Sequence, residues 1–305
     1  MSGAQPPTGQ QFELELGDQR AAVVELGAGL RSYSVAGVDV LEGYGKAAAP
    51  DGSRGEVLLP FPNRIDGGRY ELDGVEHQLP LTEPGRANAI HGLTRFMNWH
   101  GSADGPAGVV MELVLRPSIG YPFTLSLTLE YSLSALGLTV RTTARNVGEG
   151  RAPFAAGYHP YLEVGTGVVD AALLAIPART YIETDDRLIP TRRLPVEGTP
   201  LDFREPRMVG ASQLDTCFTD LDRDPDGFAR ARLSAPGRET AIAVDAAYGY
   251  IQVATGDMLP PHAARRGMAI EPMTGPPNAF RSGEGLIVLA AGESFEGSWR
   301  IEPSV

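Results

Sequence analysis

The sequence predicts an all-β protein, an antiparallel β-sandwich or barrel, and three observations carry that prediction. Apolar residues alternate with polar ones along most of the chain. In the clearest stretch Phe123, Leu125, Leu127, Leu129, Tyr131 and Leu133 are separated by Thr, Ser, Thr, Glu and Ser, the period of a strand with one buried face. The 305 residues include 37 glycines and 25 prolines, so the chain turns often. No capped amphipathic helix longer than about three turns is visible.

Taken in order, Phe12, Leu14 and Leu16 alternate as a first strand, and 21–26 follows. Gly27-Ala28-Gly29 then reads as a turn. It is not a dinucleotide-binding loop, because no helical pattern follows and the third glycine is missing. Tyr70–Leu72 and Val75–His77 flank Asp73-Gly74, a two-residue hairpin signal. The strand at 109–115 precedes the long alternating run, which Ala135-Leu136-Gly137 turns back into Leu138-Thr139-Val140-Arg141. Further strands are expected at 168–176, 229–234, 239–245, 250–255, 268–271, 286–289 and 295–301. The Pro-, Gly- and charge-rich stretches 45–55, 184–210 and 220–228 read as surface loops. None is biased enough for a domain linker and no repeat stands out, so residues 1–305 are expected to form a single domain.

Composition excludes several chemistries. Cys217 is the only cysteine, which rules out an internal disulfide, a CxxC redox pair and a cysteine-built zinc site, and fits a reducing compartment. Lys46 is the only lysine, and GYGKAAA is not a phosphate-binding P-loop because no Ser or Thr follows it. The net charge of −12 argues against nucleic acid and anionic membrane as partners. The start, MSGAQPPTGQQ, lacks the apolar core of a secretory signal, and no run approaches the ~18 apolar residues of a membrane span. The expected setting is cytoplasmic, as a monomer or homodimer.

Among the histidines there is no HxH or HExxH spacing, so neither a metal nor a cofactor is expected. His77 sits in the hairpin, His100 after Trp99 and His262 in a Pro-Pro-His loop, and all three read as ordinary. His91, in NAIHG, and His159, in GYHPY, are different. Each is either functional or a hydrogen-bonded core histidine, and Pro160 restricts His159 to extended backbone. Glu271 ends the short apolar run Met268-Ala269-Ile270 and precedes Pro272. A carboxylate there is either turned to water or partly desolvated, with a pKa raised toward the range of a useful base. Asp215, in LDTCF, reads either as a turn cap or as a site residue, and Arg64 follows Pro62-Asn63. No GxSxG nucleophile elbow occurs.

Five segments in order, PFPNRIDGGRY (60–70), NAIHGLTRFMNW (88–99), FAAGYHPYL (154–162), LDTCF (214–218) and AIEPMTGPPNAF (269–280), resemble the aldose 1-epimerase (galactose mutarotase) family. The resemblance implies the large β-supersandwich of that family and a small-molecule sugar as partner. It implies Glu271 as the base on the anomeric hydroxyl and His159 as the acid on the ring oxygen. Arg64, His91, Asp215 and Asn63 would hold sugar hydroxyls. EPMTGPPNAF and the short loops are similar to a branch apart from the galactose enzymes, which leaves the sugar open. An aromatic, Phe280 or Trp99, is expected against a sugar face. Two other readings remain. A hexose-6-phosphate epimerase would need converging arginines, and Arg64, Arg69, Arg86 and Arg95 lie close in sequence. A non-catalytic sugar-binding protein on the same fold would need neither acid nor base.

Overall fold

The computed structural model describes residues 5–304. Val305 and the first four residues of the polar N-terminal stretch read above lie outside the described residues. All strand pairings are antiparallel, and the fold is all-β. A nine-stranded sheet runs, in spatial order, through Arg207–Met208, Leu173–Ala175, Ala229–Ala235, Arg238–Val244, Ser294–Ser304, Gly137–Asn146, Leu125–Ser134, Gly108–Leu115 and His100–Ala103. A six-stranded sheet runs through Tyr161–Leu162, Met268–Met273, Tyr250–Ala254, Asp215–Leu221, Ala178–Thr184 and Pro190–Pro195. A four-stranded sheet is formed by the N-terminal strands Gln11–Leu16, Gln19–Val24, Leu30–Val35 and Val38–Asp39. Among the described residues the only α-helix is Ala279–Ser282.

The alternation translates into burial. In Leu125–Ser134 the residues Leu125, Leu127, Leu129, Tyr131 and Leu133 are buried while the residues between them are not. Each such leucine contributes about 1.5–3 kcal/mol relative to exposure. These side chains join Ile251, Val253 and Phe218 of the six-stranded sheet in one contiguous cluster, so the two sheets share a core. Leu72 pairs with Val75 across Asp73-Gly74, and both turn residues have positive φ (53° and 78°), as a type I′ hairpin requires.

Three expectations are corrected. The stretch 168–176 is a 3-10 turn, Val169–Ala171, followed by the short strand Leu173–Ala175. The stretch 184–210 is not all loop. It contains Pro190–Pro195, an edge strand whose Thr and Arg side chains face water, so no apolar alternation marks it and proline is tolerated there. Glu271 does not end its strand. Met268–Met273 continues through Pro272 in register with Ile251, and all six residues are buried.

Candidate active site

The strand pairing assembles the carboxylate side of the site. Glu271 pairs with Gln252, which pairs with Cys217. One row along, Tyr161 pairs with Ala269, which pairs with Ala254, which pairs with Asp215. Directly opposed residues share a sheet face, so Glu271, Gln252, Tyr161 and Asp215 stand on one face of the six-stranded sheet. Two alanines separate Tyr161 from Asp215, and their small side chains leave room above the sheet. A cavity of about 330 Å³ opens there, with Glu271, His159, His91, Asn63, Arg64 and Asp215 among its lining residues.

The opposite wall comes from short segments. The two-stranded ladder Arg64–Asp66 with Asn88–Ile90 places Asn63 just before one strand and His91 just after the other, and the His91 amide donates to the Asn63 carbonyl at 3.0 Å. Both residues lie in the left-handed region, with φ of 53° and 61°, an uncommon conformation for non-glycine residues that costs about 1–3 kcal/mol. Gly92 follows at φ 70°, and a Cβ there would lie 2.2 Å from the Leu59 carbonyl oxygen, so the turn demands glycine. His159 is threaded between two neighbours. Its amide donates to Glu56 O at 3.0 Å, and the Tyr158 amide donates to Pro272 O at 3.2 Å.

His159 Nε2 lies 3.3 Å from Glu271 Oε1, with His159 7% and Glu271 2% exposed. Burial, reinforced by the charge of Asp215 and only partly countered by Arg64, holds the Glu271 carboxyl well above the usual glutamate range. Burial, with the positive field of Arg95, Arg64 and Arg54, pushes His159 down to about 3. Burial and the neighbouring His159 push His91 well below its ordinary value. All three shifts favour neutral forms. The Tyr161 ring stacks on His159 with centroids 5.1 Å apart, and its hydroxyl donates to Gly52 O at 3.0 Å. The His91 and His159 rings meet edge to face at 5.4 Å. Gln252 Nε2 donates to Asp215 Oδ1 at 2.6 Å, and Arg64 Nη1 lies 4.0 Å from Asp215 Oδ2.

Four buried polar atoms in and beside this cavity have no hydrogen-bond partner among the described residues: His91 Nδ1, His159 Nδ1, Gln252 Oε1 and Glu271 Oε2. Unsatisfied buried polar groups cost about 1–3 kcal/mol each, and a polar ligand in the cavity could supply partners for them. Among the described residues no group of three or more His, Cys, Asp or Glu is placed to hold a metal ion.

The six residues singled out from sequence therefore line one cavity. The expected aromatic does not. Trp99 and Phe280 are each 2% exposed, Phe280 packs on Phe61 and Tyr70, and the aromatic at the cavity is Tyr161. The sequence signal for Tyr161 was its position two residues after His159, on the same face of an extended segment. Gln252 and Glu83 were missed, because only pairing across strands and turns brings them to the site. Of the four clustered arginines, Arg64 and Arg86 line the cavity. Arg69 binds Gln78 on the exposed hairpin, and Arg95 pairs with Glu56. His77 stacks on Tyr70, while His100 and His262 are exposed.

The fold is an antiparallel β-sandwich whose cavity holds a buried carboxylate–histidine contact among hydrogen-bonding side chains. The chain belongs to the aldose 1-epimerase family, whose model matches residues 10–302. It is 33% identical over 287 residues to an uncharacterized protein, YihR, of Escherichia coli (strain K12), covering 94% of this chain and 91% of that one. It is 31% identical over 190 residues to a galactose mutarotase of Rattus norvegicus, covering 60% and 53% of the two chains. The fold superposes on a GalM/aldose epimerase homologue from C. elegans with a TM-score of 0.86 at 18% identity, covering 97% of this chain and 98% of that one.

Proposed function

We propose that the protein is an aldose 1-epimerase that interconverts the α and β anomers of a free aldose, with Glu271 and His159 as the proton-transfer pair. The observation that carries this reading is the 3.3 Å contact between His159 Nε2 and Glu271 Oε1 inside a cavity lined by hydrogen-bonding groups. Anomer exchange moves one proton off the C1 hydroxyl and one onto the ring oxygen. The C1–O5 bond breaks to give the aldehyde, C1–C2 rotates, and closure on the other face reverses both transfers. Glu271 takes the hydroxyl proton while His159 protonates the ring oxygen. On closure the two exchange roles.

The pair's electrostatics suit that cycle. Burial disfavours charge on either group, so the resting pair holds its proton on Glu271 beside a neutral His159. The ion pair, carboxylate and imidazolium, contains the same number of protons. Moving between the two forms needs no exchange with solvent, and the Arg64 charge favours the carboxylate. Arg64, His91, Asn63 and Asp215 hold sugar hydroxyls, and Tyr161 keeps the His159 ring in plane. The cavity serves a small sugar, in a chain where no helix among the described residues is long and apolar enough to cross a membrane.

The test is proton NMR or polarimetry on freshly dissolved α-glucose, α-galactose and further aldoses. At least one is expected to equilibrate faster with the protein than in buffer. Binding without acceleration of any aldose would identify a sugar-binding protein instead.

A further inference from the structure

We infer that Glu83 is a specificity-determining residue: its carboxylate aims Arg64 into the cavity and cancels the wall's positive charge, so that the site excludes phosphorylated sugars. This rests on the anomer-exchange reading and extends it to substrate charge.

Glu83 receives a two-pronged contact from Arg64, Nε to Oε2 at 2.9 Å and Nη2 to Oε1 at 3.1 Å. That pairing fixes one edge of the guanidinium plane. Nη1 is left on the side of Asn63 Oδ1, at 3.5 Å, and of Asp215. The same carboxylate accepts from Arg86 Nη1 at 3.0 Å and Asn88 Nδ2 at 3.1 Å. The turn that carries it is closed by backbone hydrogen bonds in both directions between Glu83 and Asn88. Asn88 is fully buried and also accepts from Arg187 Nη2 at 3.0 Å. Glu83 is thus fixed from several directions before any ligand arrives. The hydrogen bonds from Arg64, Asn88 and Arg86 outweigh its burial and hold the carboxyl below the usual range, ionised at neutral pH.

The charge balance follows from these contacts. The cationic side chains on the cavity wall are Arg64 and Arg86, and the carboxylates facing them are Glu83 and Asp215. Of the wall's other carboxyl groups, Asp257 is paired with Arg265 at 2.8 Å and Glu271 faces His159 at 3.3 Å. A phosphate dianion entering this cavity meets no uncompensated cation and would lose its hydration without replacement. A neutral sugar hydroxyl can still use the free edge of Arg64.

Glu83→Gln keeps the shape and removes the charge. We expect KM for a neutral aldose to rise about tenfold while kcat stays within about twofold, because positioning is lost but the proton-transfer pair is not. The ratio of kcat/KM for glucose 6-phosphate to that for glucose should rise at least about tenfold, equivalent to about 1.4 kcal/mol. Glu83→Asp, which keeps the charge, should retain the exclusion of the phosphate. An unchanged ratio in Glu83→Gln, or an unchanged KM, would overturn the inference. If the wild-type protein accelerates no aldose, the epimerase reading fails on its own. Calorimetric titration with glucose and glucose 6-phosphate then still decides the role of Glu83, since a gain for the phosphate confined to Glu83→Gln supports it and no gain contradicts it.

Discussion

Glu271 carries a conflict between stability and chemistry. A carboxyl that is 2% exposed, with one oxygen unpartnered, is costly to ionise in the folded state. Its folded pKa lies above the ordinary 4.5, so the folded protein retains a proton that the unfolded chain gives up. The stability associated with that proton is complete below pH 4.5 and is lost as pH rises through the folded pKa. Gln cannot titrate. Glu271→Gln is therefore expected to melt at a higher temperature than the wild type above this range, with a gap that widens as pH rises and closes at acid pH. Calorimetric melts from pH 4 to 9 would check it, and a constant gap would contradict the assigned pKa shift. Much at this scale was legible in the sequence. Glu271 stood out as an acid in an apolar run, and His159 as a histidine fixed by proline. What was not legible was that the strand continues through Pro272. That depends on the pairing with Tyr250–Ala254, which no local signal announces.

At the scale of elements, the site depends on what the strand register leaves empty. Ala254 and Ala269 lie between Tyr161 and Asp215 on the six-stranded sheet, and Ala254 lines the cavity. Ala254→Leu would fill space above the sheet without touching the acid–base pair. Since Ala254 is half-buried at the end of its strand, a larger apolar side chain should leave the melting temperature within a few degrees, as surface-type changes do. We expect sugar affinity to fall by at least about tenfold, roughly 1.4 kcal/mol, as read by titration calorimetry. Unchanged affinity would show that the ligand sits elsewhere. Strands with one buried face were legible because alternation reports burial, as in Leu125–Ser134. Pro190–Pro195 was not, because an edge strand with exposed arginines has no buried face to report. Glu83 belongs to the same lesson: it pairs with Arg86 three residues on, but Arg64, nineteen residues back, meets it only through the small ladder beside the cavity.

For the whole molecule, the length of 305 residues alone would have favoured two domains. Instead one contiguous apolar cluster includes residues from Leu14 to Ile301 and backs the face on which Glu271 stands. We take the chain as one folding unit, with a site assembled from residues 63 to 271 that only the completed sandwich brings together. The order of the five sequence segments made their common family legible, whereas their convergence on one cavity required the fold. The central claim, that the buried Glu271–His159 pair performs the proton transfers, is tested most directly by anomer-exchange NMR on Glu271→Gln beside the wild type. The same aldose is used, and binding is followed in parallel. The account predicts that the variant still binds the sugar but loses nearly all of the acceleration. Wild-type exchange rates in Glu271→Gln would contradict it.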